Sequence, residues 1–365
     1  MKNVLLLGEC YSGGVKTYID SIVHGHEPDP EIRVQALVSS KRLEKAERIE
    51  GDYFVEDALS FGKSPLKVAV ALKSLHRVVK ENDIHVIHAN STFAGLVMYP
   101  YTFLKRDLYY LYTPHGYFSF RKMGRLKKAA VRFVERQINH RAALIIHVSP
   151  SEEREALSQR LVPDGKSIVI LNGTKDPEVK TDRDHRGIFT VVNLARVDDP
   201  KNPFDFIEIA RKAVEAKLPI QFIWAGNGKY LENARDKVKH YGMTDEIKFI
   251  GYSDEKDIIL QKSDLYFSTS QYEGLPFAVV EAMSYKLPLL LSHIVGHSDL
   301  IEESENGLLF KDMEDPAIYE FLRLLIHDRE QWQSLSAASY RIFCERFKRN
   351  HMLKSLLGIY REGRQ

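Results

Sequence analysis

Short apolar runs alternate with amphipathic stretches along the whole chain. Val4–Leu7, Val34–Val38, Val86–His88, Tyr109–Tyr112, Leu144–Val148 and Ile168–Leu171 read as buried strands of a first sheet. Phe189–Leu194, Gln221–Ala225, Ile247–Ile250, Leu265–Ser268 and Leu289–Ser292 read as strands of a second. Runs this short and this continuously apolar suit strands covered on both faces. Between them, Leu66–Lys80, Pro203–Glu215 and Tyr230–His240 are helix-like. Strand and helix in turn predict parallel sheets with helices on both sides, each set of Rossmann type. From Pro316 onward the chain is helical, with apolar spacing near 3.6 in Phe321–Ile326, Trp332–Phe347 and Met352–Tyr360.

The stretch from Gly173 to Gly187 is polar and charged, contains Pro177 and lacks periodicity, as a linker should. It divides the chain into a domain at 1–175 and another at 186–345, with a helix at about 349–365 expected to pack back on the first. A length of 365 residues suits two domains of ordinary size. The net charge of +2 gives no reason to expect a nucleic-acid partner, so local charge clusters matter more than the total. Cys10 and Cys344 lie far apart and read as two thiols in a reducing compartment. Val4–Leu7, with Glu9 close behind, is too short for the apolar core of a signal peptide. No run approaches the ~20 apolar residues that span a bilayer. The expectation is a cytoplasmic protein, at most peripheral at the inner face of the cell membrane. The sequons at Asn90 and Asn172 are then chance matches.

Chemistry concentrates in Glu273-Gly274-Leu275-Pro276-Phe277-Ala278-Val279-Val280-Glu281-Ala282-Met283. Gly274 permits a tight turn or close approach of a ligand. Pro276 suits the first turn of a helix, where its missing N–H costs nothing. The amides of Phe277, Ala278 and Val279 then point out of a helix N-terminus, a ready anion site. Glu281 is one turn further in, better placed for ribose hydroxyls than for a phosphate. Arg196 and Lys201 follow another strand, and two cations at a strand end suit a diphosphate. Ala225-Gly226-Asn227-Gly228 is a strand–helix turn, too weak a signal to stand alone. Glu9-Cys10-Tyr11-Ser12-Gly13-Gly14-Val15 does not fit the dinucleotide fingerprint, but paired glycines let backbone amides approach a phosphate.

Glu273 and Glu281, with seven residues between them and followed by Ala282-Met283, resemble the E-x7-E motif of GT-B glycosyltransferases. The whole block EGLPFAVVEAM resembles glycosyltransferase family 4. The resemblance implies an α/β, GT-B fold with two Rossmann-like parallel-sheet domains facing across a cleft, the N-terminal one binding acceptor and the C-terminal one donor. It also implies a retaining transfer of a hexosyl or N-acetylhexosaminyl group from a nucleotide-sugar, with UDP favoured, by front-face attack. Glu273 takes the place near donor sugar and phosphates, and Glu281 that of the ribose ligand. A covalent nucleophile at Glu273 is the less favoured alternative. Asn193-Leu194-Ala195-Arg196 with Pro200-Lys201-Asn202 resembles the pair of cations that neutralises the pyrophosphate, although Ala195 stands where the family often has glycine.

By the same resemblance His115, in Thr113-Pro114-His115-Gly116-Tyr117, matches a histidine that contacts the donor sugar. The catalytic candidates are thus His115, Arg196, Lys201 and Glu273. The donor-binding candidates are Gly13, Gly14, Gly226, Tyr252, Gly274, Phe277, Ala278, Val279 and Glu281. Gly13 and Gly14 could equally serve the acceptor or be a plain turn. Asn90, Ser91 and Asn172 are acceptor-side candidates. No metal or other cofactor is expected. Asp182-Arg183-Asp184 has the D-x-D pattern of a metal site but lies in the linker, and His24, His26, His293 and His297 lack partners of ligand quality and read as loop histidines.

Residues 118–141 carry Arg121, Lys122, Arg125, Lys127, Lys128, Arg132, Arg136 and Arg141 against a lone acid, Glu135. Aromatic and aliphatic residues are interleaved, from Phe118 and Phe120 to Phe133 and Ile138. This reads as a basic amphipathic helix after an aromatic loop, suited to an anionic membrane surface. The plainer alternative is a Rossmann helix with a solvated basic face. A lipid-linked glycan acceptor, as in cell-surface polysaccharide or glycoconjugate synthesis, would account for both features. Two other functions fit the motifs: a GT-B-shaped nucleotide-sugar epimerase, which needs no acceptor, and a non-catalytic sugar-nucleotide binding protein, whose pocket should have lost its charged residues.

Overall fold

The computed structural model describes residues 1–25, 29–41, 43, 49, 51–60, 64–177 and 187–363. Asp182-Arg183-Asp184 and His26 lie outside the described residues. The chain forms two compact units, Met1–Gly173 with Arg349–Gln365, and Thr174–Lys348.

In the first unit the order is β1 (Lys2–Gly8), α1 (Gly13–Val23), β2 (Ile32–Val38), β3 (Tyr53–Val55), α2 (Pro65–Glu81), β4 (Val86–Asn90), α3 (Thr92–Leu104), β5 (Tyr109–Thr113), α4 (Arg125–Arg141), β6 (Leu144–His147), α5 (Pro150–Ser158) and β7 (Ser167–Val169). The seven strands run in parallel in the order β3-β2-β1-β4-β5-β6-β7. Val4, Leu5, Leu6 and Leu7 are fully buried, which is why that strand carries no polar alternation. The direction of winding reverses between β1 and β4. Loops leaving the carboxyl ends of those two strands therefore diverge and open a crevice.

The second unit contains β8 (Phe189–Leu194), α6 (Pro203–Glu215), β9 (Ile220–Ala225), α7 (Leu231–His240), β10 (Ile247–Gly251), α8 (Lys256–Gln261), β11 (Leu265–Ser268), α9 (Phe277–Ser284), β12 (Leu289–Ser292), β13 (Gly307–Phe310), α10 (Ala317–His327) and α11 (Arg329–Arg346). Its six parallel strands are ordered β10-β9-β8-β11-β12-β13, with the reversal between β8 and β11. An aromatic cluster fills the core under that point. Phe206 stacks on Phe267 with centroids 4.9 Å apart and meets Trp224 edge-on, also at 4.9 Å. The Trp224 indole is buried, and its N–H donates to the Ala195 carbonyl oxygen at 2.7 Å, so the core is tied to the loop that leaves β8.

After α11 the chain returns as α12 (Arg349–Glu362) to the first unit, where it packs on α1, β1 and β2. Lys2 Nζ donates to the Gly363 carbonyl oxygen at 2.7 Å. The buried Tyr360 hydroxyl lies 2.7 Å from His88 Nδ1. No helix among the described residues is long and apolar enough to cross a membrane.

Candidate functional site

In the second unit the sequence candidates gather at the β8/β11 reversal. Lys201 lies beyond β8 and Glu273 beyond β11, and their side chains form a largely buried ion pair, Lys201 Nζ donating to Glu273 Oε1. The loops that carry them are laced together. Gln271 N donates to the Pro200 carbonyl oxygen at 2.8 Å, and Thr269 Oγ1 to the carbonyl oxygens of Lys201 and Asn202 at 3.1 and 2.9 Å. Burial pushes the Glu273 carboxyl up, but the Lys201 ammonium and a Ser270 hydrogen bond outweigh it and hold the carboxyl below its ordinary value. Glu273 is therefore an anion at neutral pH.

Glycines bring a third loop into place. Gly226 has a φ of +150°, and a Cβ there would stand 2.0 Å from the Ala195 carbonyl oxygen. The backbone of Ala195–Val197 thus presses directly on the β9 turn, an approach only glycine allows. Ala195 N and Val197 N donate to the carbonyl oxygens of Ala225 and Asn227 at 3.1 and 2.9 Å. Arg196 rides on this loop with its side chain 48% exposed, and pairs with Asp198 at 3.1 Å instead of with Glu273. Tyr252 follows β10, half-exposed, its N–H donating to Asn227 Oδ1 at 3.1 Å.

The helix start differs in detail from the sequence reading. α9 begins at Phe277, with Pro276 in extended conformation as its cap and not in its first turn. The Val279 N–H is taken by the Pro276 carbonyl oxygen at 3.2 Å. The outward anion-binding amides are thereby reduced from three to Phe277 and Ala278. Glu281 sits one turn in, and its Oε1 accepts from Lys256 Nζ at 2.7 Å. Lys256 opens α8 and had no signal in the sequence, because nothing local marks a partner on a different helix. Partial desolvation works against the Lys256 ammonium, whose side chain is still 48% exposed, and the Glu281 carboxylate outweighs it and raises the pKa above its ordinary value.

In the first unit, residues from the ends of β1, β4 and β5 meet at the other reversal. His115 has a left-handed backbone, φ +54°, and its Nε2 lies 3.2 Å from Asn90 Oδ1. Asn90 is oriented by donating through Nδ2 to the His88 carbonyl oxygen at 2.9 Å. The Oδ1 can only accept, which assigns the proton to His115 Nε2 and leaves Nδ1 as the lone pair. The Tyr18 ring meets His115 edge-on at 4.5 Å. The buried Glu152 carboxylate fixes the turn, accepting from Gly116 N at 2.5 Å and Val148 N at 2.9 Å. Ser91, with φ +111°, donates to Glu9 and caps α3 by accepting from Ala94 N at 3.2 Å. Gly13 and Gly14 are exposed at the start of α1, Gly13 with φ +58°. Asn172 is buried beyond β7, two strands away from β5. Glu9, Tyr18 and Glu152 were not singled out in the sequence, where isolated residues of these types carry no pattern.

Among the described residues no group of three or more His, Cys, Asp or Glu is arranged to hold a metal ion. The basic stretch is α4 preceded by a short turn at Phe118–Phe120. Its lone acid, Glu135, is buried, accepting from Thr92 Oγ1 at 3.2 Å.

The family model for glycosyl transferases group 1 matches residues 179–342, and that for glycosyltransferase family 4 matches residues 12–176. The chain is 29% identical over 267 residues to the O-antigen biosynthesis glycosyltransferase WbnH of Escherichia coli, covering 72% of this chain and 74% of that one. It is 24% identical over 271 residues to an Escherichia coli UDP-Gal:alpha-D-GlcNAc-diphosphoundecaprenol alpha-1,3-galactosyltransferase, covering 68% of each. In fold it is similar to Anabaena HepE, whose crystal structure is in complex with UDP, with a TM-score of 0.77 at 19% identity over 98% of this chain and 99% of that one. It is likewise similar to sucrose-phosphate synthase from Thermosynechococcus elongatus, with a TM-score of 0.82 at 17% identity over 99% of each.

Three buried imidazoles and the partly buried His115 give the protein a pH signature. Burial pushes His88 and His115 down to about 3, and His147 and His297 to about 4. The folded chain keeps them neutral while the unfolded chain takes up protons on them below about pH 6.5. Over that window the unfolded state binds more protons, so stability falls as pH falls. The melting temperature should drop between about pH 7 and pH 5, above the range in which most carboxylates titrate. A flat melting temperature across that interval would contradict neutral burial of these rings.

Proposed function

The chain belongs to glycosyltransferase family 4, of the group 1 glycosyl transferases, and from that premise we propose a retaining transferase that moves a sugar from a UDP-sugar to a hydroxyl of a lipid-linked glycan. The observation that carries this reading is the Lys201–Glu273 pair at the sheet reversal, beside a helix start that holds Glu281 one turn in. Arg196, Lys201 and the amides of Phe277 and Ala278 receive the diphosphate. Lys256 and Glu281 form the ribose side. Gly226, Gly274 and Tyr252 line the remaining donor pocket. UDP is supported by the donor named for the galactosyltransferase relative and by the UDP bound to HepE. The lipid-linked acceptor is supported by the diphosphoundecaprenol substrate of that relative.

In the transfer, the bond from the anomeric carbon to the diphosphate breaks while the acceptor oxygen bonds on the same face, and the acceptor's proton leaves with the diphosphate. Negative charge grows on the departing phosphate, and fixed cations and amides aimed there are the largest catalytic contribution. His115 is the sugar-side candidate of the N-terminal unit, acting as a neutral ring. Asn90 and Ser91, held by His88 and Glu9, are acceptor-side candidates, with Asn172 and the Gly13–Gly14 turn as further ones.

The membrane reading rests on α4. Leu126 is 90% exposed and Phe133 61% exposed, on a helix whose acid is buried and whose other charges are cations. Apolar side chains standing out of a basic face suit an anionic bilayer surface, where each cation near the surface contributes about 1 kcal/mol.

UDP should raise the melting temperature more than GDP or ADP, since binding to the folded state stabilises by mass action. Arg196→Ala should lower turnover by roughly 10²–10³-fold with an unchanged melting temperature. Near-normal turnover in that variant, or product formed from donor without acceptor, would count against a transferase with this leaving-group site. Sedimentation with anionic vesicles should exceed that with neutral ones and weaken with salt, and Leu126→Ser with Phe133→Ser should reduce it. Equal recovery on both kinds of vesicle would remove the membrane role.

A further inference from the structure

His297 is the buried ring in the second unit that the reading above leaves without a task. It lies in the loop after β12, and although its sequence context suggested an ordinary loop histidine, it is fully buried. Its neighbour Gly296 has a φ of +85°, and a Cβ there would stand 2.5 Å from the Gly274 carbonyl oxygen and 3.2 Å from Glu273 Cβ. The backbone of this loop therefore lies directly on Glu273–Gly274.

The hydrogen bonds decide where its proton sits. Nδ1 is 2.9 Å from the Ser292 carbonyl oxygen, which can only accept. It is also 3.2 Å from Ser292 Oγ, whose own proton is given to the Ser270 carbonyl oxygen at 2.6 Å. Nδ1 must carry the hydrogen. Burial keeps the ring from taking a second proton at neutral pH, with a pKa pushed down to about 4. Nε2 is then a bare lone pair, and it has no hydrogen-bond partner among the described residues. Buried acceptors are nearly always matched, so an unmatched one calls for a partner. Glu273 and Lys201 are both close enough to influence the ring electrostatically.

A lone pair repels phosphate oxygens and attracts a group that brings a hydrogen. The diphosphate has its cations at Arg196 and Lys201, and the ribose has Glu281. What remains beside Glu273 is the sugar. We propose that His297 Nε2 accepts a hydrogen bond from a hydroxyl of the donor sugar, which makes His297 a sugar-selecting residue of the donor site. The inference rests on the donor-site reading above.

Dissociation constants for UDP, UDP-glucose, UDP-galactose and UDP-N-acetylglucosamine, measured on wild type and variants, test it. His297→Asn keeps an N–H for Ser292 and deletes the Nε2 position. His297→Gln restores an amide oxygen near that position, and His297→Ala removes the whole ring. For the sugar nucleotide that wild type prefers, the Asn and Ala variants should lose roughly 3–10-fold of its affinity relative to UDP, with UDP itself bound as before, and Gln should recover part of it. An unchanged preference, or an equal loss for UDP and UDP-sugar, overturns the role of His297 while leaving the donor site standing. Wild type that binds no UDP removes the donor-site reading and this inference with it.

Discussion

The second unit is organised around a largely buried carboxylate and ammonium brought together from two strand ends. Lys201 and Glu273 are 72 residues apart in sequence and only 22% and 13% exposed at the side chain. Desolvating two charges costs about as much as their attraction returns, so such a pair adds little to stability by itself. It does leave a charged, preorganised site where strand order reverses. The surrounding features serve its geometry: the Thr269 and Gln271 bonds that lace the two loops, the glycine at 226 that lets the Arg196 loop approach, and the Trp224 indole that ties that loop to the aromatic core.

The first unit solves a similar problem with neutral groups. His88, Thr113 and Tyr360 form a buried chain in which His88 Nε2 lies 2.7 Å from Thr113 Oγ1 and Nδ1 lies 2.7 Å from the Tyr360 hydroxyl. Tyr360 comes from α12, so the last helix of the chain helps position the end of β5, two residues before His115. Burial depresses both imidazoles and makes them fixed dipoles, not titrating charges, at neutral pH. A ring held in one tautomer by Asn90 presents one lone pair in one direction.

Much of this architecture was legible because strands buried on both faces leave unbroken apolar runs. Val4–Leu7 and Leu289–Leu291 are fully buried and were plain in the sequence. β3 and β13 were not, since they are edge strands of three and four residues whose middle positions stay partly exposed. The Glu273–Glu281 block was legible because its spacing, glycine and proline are local. Lys256 and His297 were not, because what marks them is a partner or an unfilled acceptor reached only through the fold. Glu135 shows the reverse: the sequence counts it against the cations of α4, while burial removes it from that surface.

The most direct measurement is a crystal structure of the protein with UDP bound. Lys201 and Arg196 should lie within hydrogen-bonding distance of the diphosphate, with the amides of Phe277 and Ala278 directed at it and the ribose hydroxyls on Glu281. UDP seated at the Gly13–Gly14 turn, or phosphates bound away from Lys201 with the Lys201–Glu273 pair untouched, would contradict the central place given to that pair.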